Sequence, residues 1–168
     1  MIVGKLLGIM SLAAVGSTGS ISFLVIGFCM GICNGFAIPV AQRIGAGEPS
    51  KMRRYVANAA YLGAGIAVVL TAATGLLCRT ILTAMQTPEE IFADAYSYIF
   101  VIFMGIPASI LYNLLAAIMR SLGDSKTPVY FLALASILNI GLDFAFILLF
   151  RAGVTGAAIA TVLSQALS

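Results

Sequence analysis

Three polar side chains in an otherwise oily part of this sequence have the types and the spacing for chemistry. Asp143 lies inside "ILNIGLDFAFILLF" (137–150) and is the only charge between Thr127 and Phe150. An aspartate near the centre of a membrane helix costs roughly 2.5–3.5 kcal/mol on insertion scales, so it is kept where it has a task. Asn139 precedes it by four residues and Ser136 by seven, which puts all three on one stripe of a helix. Asp143 is seven residues from the end of its span at Phe150, and Thr161 is seven residues into a following helix that starts near Val154. At 1.5 Å per residue both side chains sit about 10 Å below the same surface. A carboxylate, an amide oxygen and a hydroxyl at one depth are hard oxygen donors, suited to a proton or to a small hard cation such as Na⁺ rather than to a soft metal. Proton and metal ion would compete for the same oxygens. On the residues alone, the cluster fits cation-coupled transport or a hydrogen-bonded polar clamp between helices, and both stay open.

The elements that must position these residues follow from composition. Of 168 residues, 61% are hydrophobic and 9% charged, with a mean hydropathy of +1.10. A water-soluble domain of this make-up would have almost no polar residues left for its surface, so the chain reads as a polytopic all-α membrane bundle. The net charge of +3 carries no basic patch for nucleic acid. Histidine is absent and cysteine occurs three times, at Cys29, Cys33 and Cys78. That removes histidine triads, most zinc sites and a disulfide framework, and Cys29 and Cys33 read as small packing residues on one helix. "GAG" at 45–47 lacks the strand that a dinucleotide fingerprint needs. With no nucleophile–base pair and no phosphate loop, neither an enzyme nor a cofactor is expected.

The charged residues cut the chain into apolar runs of membrane-crossing length, about 20 residues each. Helices are expected at about 11–43, 52–79, 88–120, 127–150 and 154–168, the first extending beyond the bilayer and the last cut short. Thr87, Pro88 and Glu90 read as a capping box, and "KTP" at 126–128 repeats the cap-then-proline pattern. Gly45, Gly47 and Pro49 break the first helix and restart the chain. Pro107 is expected to bend the third span. Gly27, Gly31 and Gly35 form a small-xxx-small stripe where a neighbouring helix could pack closely. Asn34, Tyr112 and Asn113 are the remaining polar groups at depth, able to bond across helices or to line a pathway.

Lys and Arg number four in loop 43–54 and two in 120–126, against Lys5, Arg79 and Arg151 on the other side. The excess places the 43–54 and 120–126 loops in the cytoplasm. In the latter loop Arg120 and Asp124 are expected to fix the turn. The amino terminus then starts outside, which suggests an earlier helix missing from this chain.

Four segments, "PVAQRIGAGE" (39–48), "RSLGDSKTP" (120–128), "LNIGLDFAFI" (138–147) and "GVTGAAIATVLSQ" (153–165), closely resemble the MATE family of multidrug and toxic compound extrusion transporters, in the same order and spacing. The resemblance covers essentially the whole chain. It implies a twelve-helix transporter of two six-helix lobes, of which residues 1–168 would be helices two to five and most of six of the amino-terminal lobe, with helix one and the carboxy-terminal lobe absent. It also implies efflux by Na⁺- or H⁺-coupled antiport with alternating access, in a multi-pass plasma-membrane protein without a cofactor. Asn139, Asp143 and Thr161 fall on positions that contribute to the family's cation site, which holds Na⁺ in sodium-coupled members; an acidic residue of helix one belongs to the same site. The partners implied are the lipid bilayer, small cationic amphiphilic substrates and the missing remainder of the transporter. A related lipid-linked sugar flippase or polysaccharide exporter, and a non-transporting membrane fragment, are the alternatives.

Overall fold

The structure, a computed structural model, describes residues 7–150 and 152–167; Lys5, Arg151 and Ser168 lie outside them. Helix α1 spans Ile9–Gly45 and α2 spans Pro49–Ala84, with 37 and 36 residues. At 1.5 Å per residue each is about 55 Å long, well beyond the roughly 30 Å of hydrocarbon, so their ends stand clear of it. The third span is divided into α3 (Glu89–Met104) and α4 (Ile106–Ser121), bent by 45°. Helix α5 (Lys126–Phe144) runs into a single wide turn with i→i+5 hydrogen bonds at Ala145–Leu149, and α6 spans Gly153–Ala166. Among the described residues, three helices, or four spans with the bent pair counted as one, are long and apolar enough to cross a membrane.

The bend falls at Gly105, two residues before Pro107. Pro107 has no N–H to give to the carbonyl one turn back, so the ladder is interrupted there. Gly105 closes the first half with its N–H shared between the Val101 and Ile102 carbonyls. It is buried against α6 with no room for a side chain.

At the α1–α2 corner, Gly47 takes φ +69°, a left-handed conformation that glycine adopts at no steric cost. Glu48 braces this corner by accepting from Arg43 at 2.9 Å and from Lys51 at 2.6 Å. Those two cations, Lys51 first, hold its carboxyl below the usual carboxylate range. The Arg43 guanidinium also lies 5.5 Å over the Tyr55 ring.

Both proline-linked caps differ from the sequence expectation. Pro88 is extended (ψ 140°) and is itself the residue before α3, so Thr87 stands one position too early to cap; its hydroxyl is buried without a partner. At α5 the cap comes from Asp124, whose Oδ1 accepts from the backbone N–H groups of Lys126 at 3.1 Å and Thr127 at 3.0 Å. Thr127 already lies inside the helix.

Helix α1 packs on α2, α3 and α4, and α2 also packs on α3 and α4. The core at their junction holds Cys29, Cys33, Cys78, Leu82, Ile99 and Phe103, each at most 1% exposed. The expected packing role of Gly27, Gly31 and Gly35 is not what the described residues show. All three are exposed and a side chain at each would meet open space. The face of α1 that packs carries Cys29, Cys33 and Ala37 instead. These lie two residues further along, and two residues turn a helix by about 200°, to the opposite side. Cys33 donates through sulfur to the Ile110 carbonyl of α4 at 3.6 Å.

Helix α6 is the bridge to α5, since it packs on α3 and α4 on one side and on α5 on the other. Helix α5 is peripheral, with Pro128 and Ala135 its only buried residues. Its outward residues, such as Ile137 and Tyr130, form an apolar face of the kind that hydrocarbon solvates.

Candidate functional site

Helix α5 meets α6 through Asn139. Asn139 donates from Nδ2 to Thr161 Oγ1 at 3.4 Å, and the Thr161 hydroxyl donates in turn to the Ala157 carbonyl at 2.9 Å in its own helix. The hydroxyl oxygen is thereby fixed between the two helices. One turn along from Asn139, Asp143 is half-buried and its Oδ1 is sealed from solvent without a hydrogen-bond partner among the described residues. A buried carboxylate oxygen left unpaired is costly, and a proton or a hard cation would satisfy it. Ser136 does not join this group: it is exposed, and its hydroxyl donates to the Leu132 carbonyl of its own helix.

The wide turn begins at Ala145, two residues beyond Asp143. Such turns are rare and often lie beside functional sites, because they re-aim the chain at little cost in hydrogen bonds. Here the Phe150 and Ala152 N–H groups reach the Ala145 and Phe146 carbonyls as the chain turns over into α6. Gly156 of α6 has room for nothing larger, since a Cβ there would stand 3.0 Å from the Cβ atoms of Phe146 and Ala152. This tight corner sets the height of Thr161 against Asn139.

Tyr98 of α3 lies within electrostatic range of Asp143. The residue-level reading had not included it. The signal available was the polar interruption "AYSY" (95–98) in an apolar helix, which shows no depth or direction by itself. Also unforeseen was the link from Ser109 of α4, 5% exposed, whose Oγ donates to Gln165 Oε1 of α6 at 2.7 Å. The other polar groups at depth do bond between elements or within a helix. Arg120 Nη2 donates to Asn34 Oδ1 at 3.3 Å, joining α4 to α1; Tyr112 donates to the Pro128 carbonyl at 3.2 Å; and Asn113 donates to the Ser109 carbonyl at 2.8 Å. No cluster of three or more His, Cys, Asp or Glu occurs among the described residues, so the donors at this site are mixed oxygens.

A sequence profile described as MatE matches residues 1–145. The chain belongs to the MatE family. Its relatives include the Probable multidrug resistance protein YpnP of Bacillus subtilis, 34% identical over 99% of this chain. The chain spans 37% of that relative's length. A solved structure described as the outward-facing conformation of a multidrug resistance MATE family transporter of the MOP superfamily superposes with a TM-score of 0.92 at 30% identity, over 99% of this chain and 37% of the other. One described as the inward-facing conformation gives 0.91 at 30% identity, over 98% and 37%. The MatE chain is therefore a multi-pass plasma-membrane protein of a transporter family, not of an enzyme family. Its backbone superposes on relatives in the two orientations about equally well.

Proposed function

We propose that this MatE chain forms part of a multidrug efflux antiporter driven by Na⁺ or H⁺, and that Asp143, Asn139 and Thr161 contribute to its cation site. The observation that carries this reading is the unpartnered, solvent-sealed Oδ1 of Asp143, one turn from the Asn139–Thr161 hydrogen bond. In this reading the chain supplies helices two to five and most of six of one lobe. The rest of the transporter supplies helix one, with an acidic residue for the same site, and the second lobe. The 43–54 and 120–126 loops face the cytoplasm.

Coupling requires that the cation prefer one orientation of the lobes, because a ligand that binds both equally shifts nothing. The likeness of this unit to both an outward- and an inward-facing relative supports alternating access by movement of whole bodies about a fixed site. Cation bound at Asp143 favours one orientation, and a small cationic amphiphile in the cavity between the lobes favours the other. Multidrug resistance in a relative's name supports drugs as the exported molecules.

The test is efflux from vesicles by the full-length transporter, wild type against Asp143→Asn, under imposed sodium and proton gradients. The variant is expected to lose at least about tenfold in gradient-driven efflux, the ratio that 1.4 kcal/mol of differential binding represents. Equal efflux by both proteins would refute the assignment.

A further inference from the structure

At the end of α2 remote from the Arg43–Arg54 loop, a cleft of about 470 Å³ opens between α2 and α3, lined by Arg79, Thr83, Thr87, Glu89, Phe92 and Ala93. Its walls carry opposite charges, Arg79 on α2 and Glu89 on the first turn of α3, and both residues are exposed. The two do not pair, although they line one cleft; the ion pairs among the described residues are Arg43–Glu48 and Lys51–Glu48. Each is therefore free to meet a charge of the opposite sign on a third molecule seated between them. The Thr83 hydroxyl is turned away onto the Arg79 carbonyl at 3.0 Å, and Thr87 Oγ1 lies sealed and unpartnered behind the cleft. The recognising charges are thus the guanidinium and the carboxylate.

The height of the cleft says which molecule this is. The sequence from Tyr55 to Cys78 is free of charge, so Arg79 is the first charged residue met on leaving the hydrocarbon. It stands five residues before the end of α2 at Ala84, about 7.5 Å below it, at the level where headgroups lie. One turn deeper on the same side of the helix is Leu76, 85% exposed, followed by Val69 at 65% and Val68 at 68%. An apolar track thus leads directly down from the charged cleft, along a helix face that nothing in the described chain covers.

We propose that this cleft binds the headgroup of a zwitterionic aminophospholipid, with Arg79 on the phosphate and Glu89 on the ammonium, and the acyl chains lying on the Leu76–Val69 face. The guanidinium suits a phosphate because it offers two parallel N–H donors. The carboxylate selects a primary ammonium, which has N–H donors, over a choline group, which has none. An anionic headgroup such as phosphatidylglycerol would satisfy Arg79 and leave Glu89 without a cation.

The test uses the full-length, delipidated transporter titrated with phosphatidylethanolamine, phosphatidylcholine or phosphatidylglycerol, with bound lipids counted by native mass spectrometry. One phosphatidylethanolamine is expected to bind about tenfold more tightly than either other lipid. Arg79→Ala abolishes that site, Arg79→Lys, which keeps the charge but loses the two parallel donors, weakens it, and Glu89→Gln levels phosphatidylethanolamine with phosphatidylcholine. Equal binding of the three lipids by the wild type, or a preference that survives both Arg79→Ala and Glu89→Gln, overturns the proposal. Both side chains are exposed, so the variants test recognition rather than folding; an unchanged thermal midpoint without lipid checks this. The outcome is independent of the Asp143 site, which lies on other helices.

Discussion

Gly105 and Val162 meet without space for a single methyl group between them: a Cβ built on Gly105 would overlap Cγ2 of Val162 and stand 3.0 Å from its Cγ1. The bend in the third span is thus locked to the helix that carries Thr161. Valine is stiff at χ1 and cannot swing aside cheaply. Gly105→Ala is expected to destabilise the full-length transporter by about 1–3 kcal/mol through overpacking. Val162→Ala in the same protein should return part of that loss. Thermal unfolding in detergent measures both, and strictly additive losses in the double variant would show that the two residues do not press on each other.

Thr161→Val keeps the shape of the side chain and removes the oxygen that accepts from Asn139. In the cation-site reading, the cation concentration for half-maximal efflux rises about tenfold, the ratio that 1.4 kcal/mol represents. Efflux at saturating cation changes little. A cation titration of the full-length protein in vesicles separates the two effects, and an unshifted curve would mean that this hydroxyl is not a ligand.

Ser109→Ala removes the donor that reaches Gln165 across α4 and α6. Hydrogen bonds between membrane helices average about 0.6 kcal/mol, with a maximum near 1.7 kcal/mol. A loss of stability in that range is expected, readable as a lower midpoint in reversible unfolding. A midpoint equal to that of wild type would assign the contact no net value.

Acid should loosen the two polar corners. Asp124 is held below its usual range by hydrogen bonds from Thr127, hydroxyl first and backbone N–H second, and from the Lys126 N–H. Glu48 is held down by Lys51 and Arg43. A carboxylate with a depressed native value stabilises the fold above its unfolded value, about pH 4 for these groups, and loses that contribution as pH falls through the lower native one. Stability should therefore decline below about pH 4, and less steeply in Asp124→Asn, with Glu48 supplying the remainder. Identical acid limbs for wild type and variant would contradict the cap.

Much of the architecture was legible because lipid is a simple solvent. A run without charge has to close its own backbone hydrogen bonds, and a helix does so locally; the helical spans and the break near Pro107 follow from that rule. Within the site, the i, i+4 relation of Asn139 and Asp143 required no tertiary knowledge either. Which face of α1 turned inward did require it. Glycine and cysteine stripes on that helix are equally small and equally periodic, and only packing against neighbouring helices distinguishes them, burying Cys29 and Cys33 and setting Cys33 on the Ile110 carbonyl of α4.

The sequence by itself determined that this chain is a membrane helix bundle, where its helices break, and that one carboxylate lies deep in it, because each of these depends on local hydrophobicity, proline and spacing along a single helix. Tertiary structure alone decided that Asn139 meets Thr161 across two helices while Ser136 does not join them, and that Gly105 packs against α6. Those relations depend on the rotation and height of one helix against another, which packing across the whole bundle sets and no single segment encodes.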